Sequence, residues 1–154
     1  MTKKYDTFDY EIKYITYENS YTSGSEFLRC VFIINGKDIL DIVKETLIEF
    51  KGYHHTTLSD LLAFDLDDEP YEIGRIHPLI CSCDELGCAN ITVSVTENNG
   101  GIIWNCFHQG DASDEENDVD TQDLGLSFEF ESTDYKRKIA EIKSLALKKI
   151  NVND

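Results

Sequence analysis

The sequence predicts an α+β domain: a mostly antiparallel sheet with one helix in the first half and an amphipathic C-terminal helix packed on it. Three observations carry that reading. Apolar residues alternate with a period of two in several short runs, two other runs repeat every three to four residues, and Asn-Gly or Asn-Asn-Gly-Gly punctuates them. At 154 residues the chain fits a single domain, 1–154, large enough to bury roughly 70% of its unfolded surface.

Phe8, Tyr10, Ile12 and Tyr14 alternate with polar residues as a half-buried strand does. A turn at Gly24-Ser25 leads to a second strand, Phe27 to Ile34, ended by Asn35-Gly36, and pairing these two strands as a hairpin is the simplest arrangement. Ile39, Ile42, Val43, Leu47 and Phe50 then fall at helical spacing, predicting a helix from about Lys37 to Phe50. Between Gly52 and Gly74 the pattern suggests only a short helix through Leu58, Leu61, Leu62 and Phe64, begun by Thr57 or Ser59, then an acidic turn at Asp65 to Glu69. Leu79 to Cys83 and Ala89 to Glu97 read as strands, the latter with Ile91, Val93 and Val95 on one face. Asn98-Asn99-Gly100-Gly101 tolerates the positive φ angles of a tight hairpin turn and leads into a strand over Ile102 to His108. A last strand, Leu124 to Glu131, turns Leu126, Phe128 and Phe130 inward. It precedes a helix capped by Ser132, Thr133 or Asp134, whose Tyr135, Ile139, Ile142, Leu145, Ala146 and Ile150 share a face.

Charge is distributed unevenly along this framework. The chain has 14 Lys and Arg against 30 Asp and Glu, a net charge of -16. Sixty consecutive residues between Arg75 and Lys136 contain no Lys or Arg yet hold 13 carboxylates, while six of the 14 basic residues sit on the C-terminal helix. Residues 111–123 carry seven carboxylates in thirteen positions, with Val119 the only sizeable apolar group, and the stretch at about 110–123 reads as a mobile surface loop. A surface of one sign attracts partners of the other and repels nucleic acid, so the expected partner is a basic protein rather than DNA, RNA or anionic lipid. The contact residues on this reading are Asp111, Asp114, Glu115, Glu116, Asp118, Asp120 and Asp123, with Tyr71 or Trp104 as an aromatic anchor.

Other chemistries find less support. No apolar run approaches the roughly 18 residues that span a bilayer, and Met1 to Lys13 lacks the apolar core of a secretory signal, so a cytoplasmic location is expected. Five cysteines, an odd count, argue for reduced thiols. The acidic loop lacks the glycine and terminal bidentate Glu of a calcium-binding EF-hand loop. Cys106 and His108 share a strand face, and His54-His55 adds imidazole, but no orienting group or nucleophile turn accompanies them. The expectation is a protein without catalytic activity and without a cofactor.

Cys81, Cys83 and Cys88 supply three candidate zinc ligands, with His77, Cys106 or His108 as a fourth. Cys81 and Cys83 in one strand stand about 7 Å apart, unlike the paired knuckles of zinc fingers, and buried thiols on a hairpin are the simpler reading. The run Cys81-Ser82-Cys83-Asp84-Glu85-Leu86-Gly87-Cys88, followed by Trp104-Asn105-Cys106-Phe107 and by an apolar strand entering a Tyr-containing helix, resembles a widespread group of small uncharacterised bacterial proteins. The resemblance covers roughly residues 77–140, and Asp84 stands where that group usually has Gly. Some of its members look like immunity proteins encoded beside polymorphic or contact-dependent toxins. The acidic, base-free span motivates the expectation of a cytoplasmic immunity protein that binds and neutralises a cognate basic toxin, such as a nuclease, and the resemblance points the same way. The alternatives are an acidic nucleic-acid mimic that inhibits a DNA-binding enzyme, and a small zinc-binding module.

Overall fold

A computed structural model describes residues 4–15, 28–46, 53–58, 61, 74–81, 90–110 and 124–152, with the main chain alone at 81, 90, 109, 110 and 149–152. In chain order the elements are β1 (Phe8–Tyr14), β2 (Leu28–Ile34), β3 (Lys37–Asp38), α1 (Ile39–Thr46), β4 (Tyr53–His55), β5 (Gly74–Cys81), β6 (Asn90–Asn98), β7 (Gly101–Gly110), β8 (Phe128–Glu131) and α2 (Ser132–Val152). They form two antiparallel sheets, ordered β1-β2-β3 and β4-β5-β6-β7-β8, with both helices against them.

The expected antiparallel pairing of β1 with β2 and the expected hairpin at Asn98 to Gly101 are present, and a further hairpin, which the alternation does not announce, joins β2 to β3. Asn35 and Gly36 take φ of 54° and 79° between β2 and β3, and Asn99 and Gly100 take 51° and 83° between β6 and β7, as two-residue hairpin turns require. β2 does not end in the predicted helix directly: Lys37 and Asp38 first pair back on it, and the helix starts at Ile39, where Asp38 Oδ1 accepts the Leu40 amide at 2.8 Å. The expected continuation of this helix through Leu47 to Phe50 lies outside the described residues. Leu58 and Leu61 are fully buried, and the Leu61 amide donates to Thr57 O at 3.1 Å. The rest of the predicted short helix also lies outside the described residues.

The two sheets are stitched along both sides. On one side Asp6 bridges Phe130, its amide donating to Glu129 O at 2.8 Å; its carboxylate takes the Glu129 amide at 2.9 Å and Asn35 Nδ2 at 3.0 Å. On the other side Arg29 bridges Thr57, and the Cys30 amide donates to Thr56 O at 3.0 Å. The core lies between the sheets. Phe8 packs its ring 4.8 Å from Tyr135, 5.1 Å from Phe130 and 5.5 Å from Trp104, and Trp104 meets Phe130 edge-on at 5.6 Å. Ile91, Val93 and Val95 join this cluster from one face of β6, as their alternation predicts, and Ile139, Ile142 and Ala146 join it from α2.

The cap of α2 is not one of the three residues expected. Glu131, the last residue of β8, accepts the Thr133 and Asp134 amides at 3.1 and 2.7 Å, and Ser132 Oγ instead donates to Glu97 at 2.7 Å. A carboxylate serves here because the helix N-terminus presents unpaired amides and a positive dipole end.

Candidate partner-binding end of the sheet

Strand register places the acidic segments. Tyr53 pairs with Cys81, Leu79 with Ile91, and Asn90 with Gly110, so the start of β4, the end of β5, the start of β6 and the end of β7 meet at one end of the five-stranded sheet. Segments 47–52, 82–89 and 111–123 all join the framework there, and the last two hold nine carboxylates and no Lys or Arg. The described residues carry eleven carboxylates and twelve Lys and Arg, so they are close to neutral; nineteen of the 30 acids fall outside them.

Several acids on the framework are matched by a neighbouring cation. Lys136 meets Glu97 at 2.7 Å, Arg137 meets Asp134 at 2.7 Å and Glu141 at 3.0 Å, Lys13 meets Glu11 at 3.0 Å, and Lys37 pairs with Glu45. The Lys136 to Lys138 cluster at the start of α2, poorly placed for the helix dipole, thus offsets neighbouring carboxylates. Glu97 is held below the usual carboxylate range by its bonds from Lys136 and Ser132.

The neck of segment 111–123 is fixed by β7. The Leu124 amide donates to Phe107 O at 2.8 Å, closing the segment beside the strand it leaves, and Gly125 follows at φ 73°. Phe107 is buried, 6.3 Å from Trp104 and 5.8 Å from Phe128. Between Thr92 and Ser94 the register shifts by one residue, and Cys106 adopts φ 53°. That bulge turns both Trp104 and Phe107 into the core, which strict alternation forbids, and leaves the Cys106 thiol exposed. His108 Nδ1 lies 2.9 Å from Cys106 O. Sequence alternation alone misses this bulge, since Cys106 is not a residue type that signals positive φ.

Of the expected contact residues, Asp111, Asp114, Glu115, Glu116, Asp118, Asp120, Asp123 and Tyr71 lie outside the described residues. Trp104 requires a correction. It is fully buried, and its Nε1 donates to Tyr135 Oη at 3.0 Å, so it is a core residue with no surface to offer as an anchor. Cys83 and Cys88 lie outside the described residues, Cys81 ends β5, and His77 is buried within β5. Among the described residues no three His, Cys, Asp or Glu side chains are grouped to hold a metal ion. Burial pushes the Cys30 thiol far above its ordinary range.

Strand β4 was not legible as a strand, and it builds the least expected polar group. His55, almost buried, places Nε2 2.9 and 3.0 Å from the two carboxylate oxygens of Asp38. Arg29, fully buried, donates from Nη1 to His55 O at 2.9 Å. Burial pushes the Asp38 carboxyl up, but the bonds from His55 and the Leu40 amide outweigh it and hold the group below the usual carboxylate range. The group joins β2, β3 and β4 across the seam between the sheets.

No family model, curated protein or solved structure matches this chain. No helix among the described residues is long and apolar enough to cross a membrane.

Proposed function

We infer that the protein is an immunity-type inhibitor, acting in the cytoplasm by binding a cognate basic toxin domain rather than by catalysis. The observation that carries this is the division of charge: a near-neutral framework, and nine carboxylates in two segments that contain no Lys or Arg and join one end of one sheet. Loop acids raise the association rate and set orientation by attracting a basic surface, while buried apolar contacts supply most of the affinity. A basic active site, such as one that holds nucleic acid, is a surface that such charge can cover.

Mimicry of nucleic acid is the less supported reading. It calls for carboxylates presented in a row on a rigid surface, and the framework carboxylates named above are instead paired with neighbouring Lys and Arg.

The test is to replace Asp114, Glu115, Glu116 and Asp118 together with their amides and measure association with the toxin domain at several salt concentrations. A roughly tenfold or larger fall in association rate at low salt, narrowing as salt rises, is the expected result. An unchanged rate and salt dependence would remove these residues from the interface.

A further inference from the structure

Strand β1 is the edge of its sheet, and its register shows which backbone groups face outward. The Asn35 amide donates to Thr7 O at 3.0 Å, and Ile34 faces Lys37 across the two-residue turn. Antiparallel alternation then turns the amides and carbonyls of Asp9, Glu11 and Lys13 toward β2, and those of Phe8, Tyr10, Ile12 and Tyr14 away from it. The start of this outward row is occupied: Asp6 is bonded to β8, Lys138 of α2 donates to Phe8 O, and the Tyr10 amide is taken by the Asp9 carboxylate at 2.8 Å. Further along, no described residue bonds the outward amide or carbonyl of Ile12.

The side chains around Ile12 are self-complementary. Glu11 and Lys13 stand on the outer face, each about half exposed, and Tyr14 is 64% exposed, one of two large apolar side chains left so open among the described residues. We propose that β1 pairs with β1 of a second copy of this chain, antiparallel about a two-fold axis at Ile12. In that register Ile12 exchanges both main-chain bonds with its counterpart, and Tyr14 lies opposite Tyr10 of the second copy. Glu11 lies opposite Lys13 of the second copy and Lys13 opposite its Glu11, so the ion pair now within one chain is reproduced twice between chains. This interface does not involve the acidic end of the five-stranded sheet, so it stands or falls independently of the inhibitor reading. The net charge of -16 opposes association of two copies, so the dimer strengthens as moderate salt screens that repulsion.

The experiment is sedimentation equilibrium of the full chain over a concentration series at low and moderate salt, on the wild type, Lys13→Glu, and the exchange variant Glu11→Lys/Lys13→Glu, with circular dichroism to show that each is folded. The wild type is expected to reach twice the 17.6 kDa chain mass. Lys13→Glu sets like charges opposite one another at two places and weakens the dimer roughly tenfold, and the exchange variant recovers it. A chain that stays monomeric throughout would overturn the proposal and leave Lys13 as a charged guard of an edge strand. A dimer indifferent to Lys13→Glu, or one that the exchange does not rescue, would overturn it as well.

Discussion

Replacing Asp38 tests whether one carboxylate both starts α1 and holds the seam between the sheets. Its Oδ1 accepts the Leu40 amide at 2.8 Å, and its two oxygens face His55 Nε2 at 2.9 and 3.0 Å. Losing a cap costs about 1 kcal/mol. Losing a hydrogen bond to a charged acceptor costs about 1.5–3 kcal/mol when buried, and about 1 kcal/mol is the fitting share for a side chain that is one-third exposed. Asp38→Ala should therefore lose about 2 kcal/mol, and Asp38→Asn, which can still cap, about half of that. Urea unfolding followed by circular dichroism at neutral pH reads the difference, with a slope of about 2 kcal/mol per molar placing the Ala midpoint about 1 M below wild type. The pH dependence has a fixed sign. The folded-state carboxyl titrates below its unfolded value of about 3.9, so its stabilisation is complete above that pH and fades as pH falls through the folded value. The gap between wild type and Asp38→Asn should close in acid. Equal losses for Ala and Asn would refute the division into cap and pair, and a gap that widens in acid would refute the electrostatic argument.

Three further outcomes follow from the same packing. Trp104→Phe removes a fully buried ring system and the bond from Nε1 to Tyr135, and should cost about 2–3 kcal/mol, lowering the melting temperature by roughly 5–10 °C; a change under 1 °C would contradict its place in the core. At the bulge, Cys106→Gly relieves a left-handed conformation and should be neutral or stabilising by up to about 1 kcal/mol, while Cys106→Val should destabilise by 1 kcal/mol or more, on the order of the αL penalty; thermal melts of both variants decide it, and the reverse order would refute the strain. Glu131→Ala leaves the first amides of α2 without their carboxylate and should cost about 1 kcal/mol in urea unfolding, with Glu131→Gln losing less; equal stability of Ala and wild type would deny the cap.

Local patterning made much of this fold legible. The alternation in β6 and β8 and the 3.6-residue repeat in α2 report burial on one face directly, and Asn35-Gly36 and Asn99-Gly100 require the turn conformations they adopt. What could not be read has a common cause in long-range pairing. β4 is three residues long and holds two histidines, so nothing in Tyr53-His54-His55 announces that it closes a sheet against β5. The bulge at Cys106 decides that Trp104 and Phe107 both point inward, and without it Trp104 reads as free to meet a partner. The acidic end is different: the base-free run is visible in the sequence, but the meeting of its two segments at Asn90 and Gly110 is a property of strand register.

The central claim is that this protein binds a basic partner through its acidic segments. The most direct measurement is an affinity pull-down from lysate of the source cell at low and moderate salt, comparing the tagged wild type with a variant carrying amides at Asp111, Asp114, Glu115, Glu116, Asp118, Asp120 and Asp123, and identifying captured proteins by mass spectrometry. One stoichiometric basic protein, retained by the wild type at moderate salt, lost from the variant and inhibited on binding, is the predicted result. Capture of no protein, or equal capture by both forms, would contradict the account.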